Sequence, residues 1–117
     1  LPRPRPAGRC IVELGAGNGE LSLALAEAHR DAVRSDTLVL LDQGSKPKGR
    51  SGHGRLAADT ALESHFASVT RLKVGLEHVD LAALREEVAP SSSGLVVLAK
   101  HLCGAASDYA LRASVAA

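Results

Sequence analysis

Two short stretches carry most of the side chains able to do chemistry. The first is Lys100-His101-Leu102-Cys103-Gly104, directly after the apolar run Leu95 to Ala99. An α/β protein places its chemistry at such a position, just beyond the carboxyl end of a buried strand. Histidine needs little perturbation to accept a proton near neutral pH. Lysine stays protonated unless burial lowers its pKa. His101 therefore reads as a general base and Lys100 as a cation that orients a hydroxyl or a phosphate oxygen. Cys103 could be a nucleophile, but the commoner role, a small packing residue beneath them, is the one expected. No second Cys or His stands at metal-ligand spacing, so no metal is expected. The second stretch is Glu13-Leu14-Gly15-Ala16-Gly17-Asn18-Gly19, again after an apolar run. Alternate glycines let a backbone turn sharply and come close to a ligand. A helix starting at Glu20 aims its free N–H groups at the same place.

The dinucleotide fingerprint GxGxxG requires glycine at position 20, which is Glu. The pattern E-x-G-x-G-x-G resembles instead the first motif of class I S-adenosylmethionine-dependent methyltransferases. Asp42 ends the next apolar run, where a carboxylate can accept hydrogen bonds from both ribose hydroxyls of a nucleoside cofactor. Glu13 interrupts an apolar strand, and burying an unpaired carboxylate is costly. It is expected to face the site and meet a cofactor ammonium, directly or through water. An edge-facing Glu is the alternative. His29, His53, His65 and His78 read as solvated or packing residues.

These motifs need elements to hold them. Cys10 to Leu14 suits a strand buried on both faces of a parallel sheet. Glu20 to about Ala32 reads as a helix with Leu21, Leu25 and Ala28 on its inner face. Leu38 to Leu41 is a second buried strand, and residues 43–55 are a Gly-rich basic loop. A helix over about Leu56 to Ser68 buries Leu62, Phe66 and Val69. Arg71 to Leu76 alternates as a third strand, with Leu72, Val74 and Leu76 pointing one way. Ala82 to Val88 is a short helix, Leu95 to Ala99 the fourth strand, and Ala105 opens the last helix, where Asp108 and Arg112 can pair. Alternating strands and helices imply an α/β fold: a partial doubly wound, Rossmann-like parallel sheet, expected to be truncated after the fourth strand.

Composition narrows the function classes. Fourteen basic residues against thirteen acidic give a net charge of +1 over 117 residues, which argues against a freestanding high-affinity nucleic-acid binder. The two cysteines lie far apart, so a disulfide framework is not expected and the chain reads as intracellular. No apolar run approaches the roughly 20 residues that span a bilayer. The opening LPRPRPAG, residues 1–8, reads as a Pro-rich linker and not a signal peptide.

Lys100 to Arg112, KHLCGAASDYALR, resembles the signature of the eukaryotic tRNA ribose 2′-O-methyltransferases that act on the fourth acceptor-stem nucleotide, the TRM-thirteen type. ELGAGNGELS and RLKVGLEHVDL resemble that family's glycine motif and third-strand segment. The resemblance covers most of residues 9–112. It implies a class I fold, S-adenosylmethionine as cofactor and tRNA as substrate through the full-length enzyme. Gly15, Gly17, Gly19 and Asp42 match cofactor positions, and Lys100, His101, Cys103, Gly104 and Asp108 match the signature. Gln43 stands where the family commonly has Arg, Gly75 where an Asp is expected near the adenine, and Ala99 where Ser is usual. On this reading residues 9–117 are the N-terminal part of a methyltransferase catalytic domain, a fragment expected to be inactive alone. The alternatives are a methyltransferase acting on protein or a small molecule, and a non-catalytic truncated Rossmann-like module.

Overall fold

The fold is an α/β sheet, seen in a computed structural model that describes residues 8–43 and 57–99 together with residues 112 and 114. Three apolar runs and one mixed segment form its strands: β1 (Cys10–Leu14), β2 (Thr37–Asp42) and β4 (Leu95–Ala99) are largely apolar, and β3 (Ser68–Lys73) mixes polar and apolar residues. They pair in parallel in the order β3-β2-β1-β4. β1 and β2 lie inside the sheet and are the most buried, which explains their lack of polar alternation. β4 is half-buried along most of its length.

The helices α1 (Glu20–Ala28), α2 (Arg30–Val33), α3 (Ala57–Glu63) and α4 (Leu81–Val88) connect these strands. One face of the sheet packs Ile11, Leu38 and Leu40 against Ala26 of α1, Val33 of α2, Leu62 of α3 and Phe66. The other packs Cys10, Val12, Leu14, Val39 and Leu41 against Leu81 of α4 and Ala89. Asp80 caps α4, its Oδ1 accepting the Ala83 N–H at 3.0 Å. At the amino end of the sheet the Arg9 guanidinium donates to Asp36 Oδ2 at 2.7 Å, and the Gly8 carbonyl accepts the Ser93 N–H at 2.9 Å.

Several boundaries differ from the sequence expectation. The first helix breaks at His29, where the backbone leaves helical angles (φ −134, ψ 51). His29, Arg30 and Asp31 are all exposed, so no packing holds a continuous helix there. Its buried face is centred on Ser22 and Ala26, not on Leu21, Leu25 and Ala28. These small side chains let the helix axis lie close to the sheet. The helix expected over about Leu56 to Ser68 is α3 and stops at Glu63, so Phe66 follows it and Val69 belongs to β3, which starts at Ser68, three residues earlier than expected. Register decides this: Thr37 to Asp42 of β2 pair with Ser68 to Lys73. Leu72, Val74 and Leu76 nonetheless pack together on the α4 face, as their alternation predicts, with Leu76 opening a short 3₁₀ turn (Leu76–His78).

Candidate functional site

The site is built at the carboxyl ends of β1 and β2. Parallel pairing puts Glu13 beside Leu40 and Leu14 beside Leu41, so the tips of both strands emerge together. The chain then turns from β1 into α1 through residues 15–19. Gly15, Gly17 and Gly19 all have positive φ, at 63, 53 and 75. Side-chain-bearing residues rarely adopt that conformation, so the spacing of the three glycines is a requirement of the backbone path. The Gly19 N–H closes the turn on the Ala16 carbonyl at 2.8 Å, and the Ala16 N–H fastens it to the Leu41 carbonyl at 3.0 Å. That second bond sets the turn beside the tip of β2, where Asp42 stands half-buried.

The turn has an open side and a packed side. A Cβ added at Gly17 would meet nothing within 4 Å, whereas one at Gly19 would lie 2.8 Å from Leu62 Cδ1. Gly17 and Asn18 are exposed, and within the described residues their N–H groups have no backbone acceptor. The open side therefore fits a polar ligand lying against bare backbone, and the packed side rests on α3.

Glu13 lies in the middle of the sheet, which removes the edge-facing alternative. Its carboxylate is buried, with Oε1 accepting the Ser22 N–H at 3.0 Å and also the Ser22 hydroxyl. Ser22 is the third residue of α1, so Glu13 satisfies one of the N–H groups that every helix start leaves unpaired. A carboxylate suits this place also because the helix dipole is positive there. The cost of burying Glu13 is offset by these bonds.

A second buried charge cluster lies alongside. Arg71 on β3 donates Nε to Asp59 Oδ2 and Nη2 to Asp59 Oδ1, both at 2.8 Å. Both partners are largely buried. This bond to Asp59 holds Arg71 protonated beyond its ordinary range, against the effect of burial, and the charges of Asp59, Asp42 and Glu13 add to the hold. Arg71 pairs in register with Leu40, which pairs with Glu13, so all three occupy one row across the sheet. Single-residue chemistry gave no reason to pick out Arg71, Asp59 or Ser22. The available hint was that Asp59 and Arg71, both charged, stand inside segments whose apolar pattern requires burial. At Gly75 a Cβ would meet Glu77 Oε1 at 2.6 Å, so the missing side chain leaves room for the Glu77 carboxylate.

Of the residues expected at the site, Gly15, Gly17, Gly19 and Asp42 come together at the two strand tips, with Glu13 beneath them. Lys100, His101, Cys103, Gly104 and Asp108 lie outside the described residues. β4, which precedes them, pairs with β1 such that Ala99 is level with Leu14. No group of three or more His, Cys, Asp or Glu that could hold a metal occurs among the described residues, and no described helix is long and apolar enough to cross a membrane.

Two curated relatives, each described as a tRNA:m(4)X modification enzyme TRM13 homolog, come from Homo sapiens and Mus musculus. Each is 34% identical to the chain over 110 residues, which is 92% of this chain and 20% of the relative. The chain thus spans about a fifth of the length of these relatives. No solved structure matches it. The model of the family described as Methyltransferase TRM13 matches residues 6–117, from ahead of β1 through the glycine turn and all four strands. With that match running through the turn and Asp42 alike, the chain belongs to the TRM13 methyltransferase family.

Proposed function

We propose that this chain is the cofactor-binding part of a tRNA 2′-O-methyltransferase that uses S-adenosylmethionine and methylates a ribose in the acceptor stem. The observation that carries the reading is the glycine turn: three positive-φ glycines with an open side at Gly17, set beside Asp42, in a chain of a methyltransferase family. Exposed backbone at Gly17 and Asn18 suits the polar end of the cofactor. Asp42 suits its ribose hydroxyls. Glu13 supports the turn from beneath by fastening the start of α1. Bound there, the cofactor supplies an electrophilic methyl on a sulfonium.

The protein has two tasks in such a reaction. It holds the ribose 2′-oxygen in line with the methyl–sulfur bond, and it removes one proton. The cofactor would supply the methyl group to the ribose oxygen, and the chain's own residues would take up the hydroxyl proton. His101 is the base in this reading and Lys100 the cation that orients the hydroxyl or a neighbouring phosphate. The tRNA substrate is supported by the names of the relatives.

The test uses the full-length protein, labelled S-adenosylmethionine and tRNA. Label recovered as a 2′-O-methyl ribose in the acceptor stem is the expected result. Label on protein, on a small molecule or on a base would overturn it. Calorimetry tests the cofactor site separately. Asp42→Ala is expected to weaken binding by about 1.5–3 kcal/mol, the range for hydrogen bonds to a charged group. Gly17→Val is expected to abolish binding, because valine is strained at φ 53 and projects into the open side. Equal affinity in wild type and both variants would remove the site.

A further inference from the structure

We propose that the Arg71–Asp59 pair is a positioning device for the glycine turn, setting cofactor affinity through Leu62 without touching the cofactor. The cofactor part rests on the reading of the turn as an S-adenosylmethionine site.

The path is short: an ion pair, one turn of helix, and the close approach of Leu62 to Gly19. Arg71 belongs to the sheet and Asp59 to the first turn of α3. The two nitrogens of one guanidinium meet the two oxygens of one carboxylate, at 2.8 Å each. A fork of this kind fixes angle as well as distance. Three residues on, one helical turn away, Leu62 is fully buried on the same side of α3. Its Cδ1 sits 2.8 Å from where a Cβ of Gly19 would stand. Gly19 is the residue before α1 and ends the turn. Position of α3 therefore translates directly into position of the turn.

Two further observations favour positioning over simple stabilisation. Helix α3 has seven residues, too few to hold its shape without tertiary contacts. A buried ion pair is also a poor source of net stability, since apolar residues of similar volume commonly serve as well. What apolar residues lack is the fixed geometry of the fork. Leu62 of α3 and Phe66, which follows the helix, share one apolar cluster with Leu40 and Val69, and apolar contacts do not fix an angle as the fork does. Arg71 also feels the charges of Asp42 and Glu13. A purely electrostatic role is therefore the competing explanation, and lysine separates the two because it keeps the charge and loses the fork.

The experiment compares wild type, Arg71→Lys, Arg71→Met and Leu62→Val in the full-length protein. Amide hydrogen exchange is measured without cofactor, then S-adenosylmethionine affinity and methyl-transfer kinetics. Positioning predicts faster exchange at residues 17–22 in all three variants, with β1 and β2 amides keeping their protection. It predicts a cofactor Kd and KM raised roughly 3- to 30-fold in both Arg71 variants, the span typical of residues coupled to a site they do not touch. The kcat at saturating cofactor stays near wild type. Leu62→Val keeps the ion pair and shifts in the same direction by less, so it decides the matter if an Arg71 variant does not fold. Wild-type exchange in the turn of the variants would overturn the proposal, as would full rescue by Arg71→Lys. Absence of S-adenosylmethionine binding to wild type would sink the cofactor reading instead, and the exchange measurement would still judge the mechanical link.

Discussion

The two faces of the sheet are built from the same four strands and do different work. On the α4 face the strand residues are apolar or small and uncharged: Cys10, Val12 and Leu14; Thr37, Val39 and Leu41; Ser68, Thr70 and Leu72; Leu95, Val97 and Ala99. On the α1/α3 face every strand begins apolar, with Ile11, Leu38, Val69 and Val96. Toward the carboxyl ends this face changes character. By strand alternation, Glu13, Asp42, Arg71 and Lys73 all fall on it. All the charged residues of the strands thus lie on one face, in the half that supports the glycine turn. One face carries no strand charge and supplies mainly cohesion, with a side-chain bond between strands from the Ser68 hydroxyl to Thr37 Oγ1 at the amino end. The other supplies cohesion at its base and directed bonds at its top, where a backbone turn must be held in place.

The largest effect that would test this division is on the uncharged face. Leu81 is fully buried there. Leu81→Ala is expected to cost about 2–5 kcal/mol in denaturant unfolding, while the folded protein keeps its cofactor affinity. A large fall in affinity without loss of stability would erase the contrast between the faces.

A smaller loss of stability is expected opposite it, coupled to function. Glu13→Ala strips the Ser22 N–H and hydroxyl of their acceptor and should cost about 1–3 kcal/mol, the penalty for unsatisfied buried donors. Cofactor affinity should fall with it, because the start of α1 is loosened. Glu13→Gln keeps an acceptor oxygen at the same reach and should recover most of the stability. If Glu13→Ala lowers stability but calorimetry finds full affinity, the carboxylate is a helix cap and nothing more.

The smallest effect concerns pH. Burial pushes the Cys10 thiol above its ordinary value of 9.0, and the nearby Arg85 charge draws it partly back. A folded-state pKa above the unfolded one means that the contribution to stability is fully present below 9.0 and is lost as pH rises through the folded value. Melting temperature should therefore fall through this group as pH rises above about 9.0. Cys10→Ala should flatten that part of the profile. An unchanged slope in Cys10→Ala would assign the alkaline loss to other residues.

Much of the frame was legible in the sequence because its signals are local. Three apolar runs and one alternating segment marked four strands, and β1 and β4 have the expected bounds. Alternate glycines between a strand and a helix marked a turn, and all three have the positive φ that only glycine adopts easily. Asp42 could be placed at a strand tip because it follows the last apolar residue. Where the signals were weak, boundaries moved. The third strand alternates over more residues than it uses, and no cap marks the end of the first helix.

The sequence by itself determined the α/β class, the site of the turn and the acid beside it, since each follows from residues within a few positions of one another. Only the tertiary structure decided what the buried charges do. Glu13 finds Ser22 nine positions away, and Arg71 finds Asp59 twelve positions away. Neither partner follows from propensity or periodicity. Each pairing exists because parallel register brings Glu13, Leu40 and Arg71 into one row, and because α1 and α3 cross above that row on the same face. Hydrophobic pattern can say that a charge is buried. The identity of the group that satisfies it is settled only when elements distant in sequence close around it.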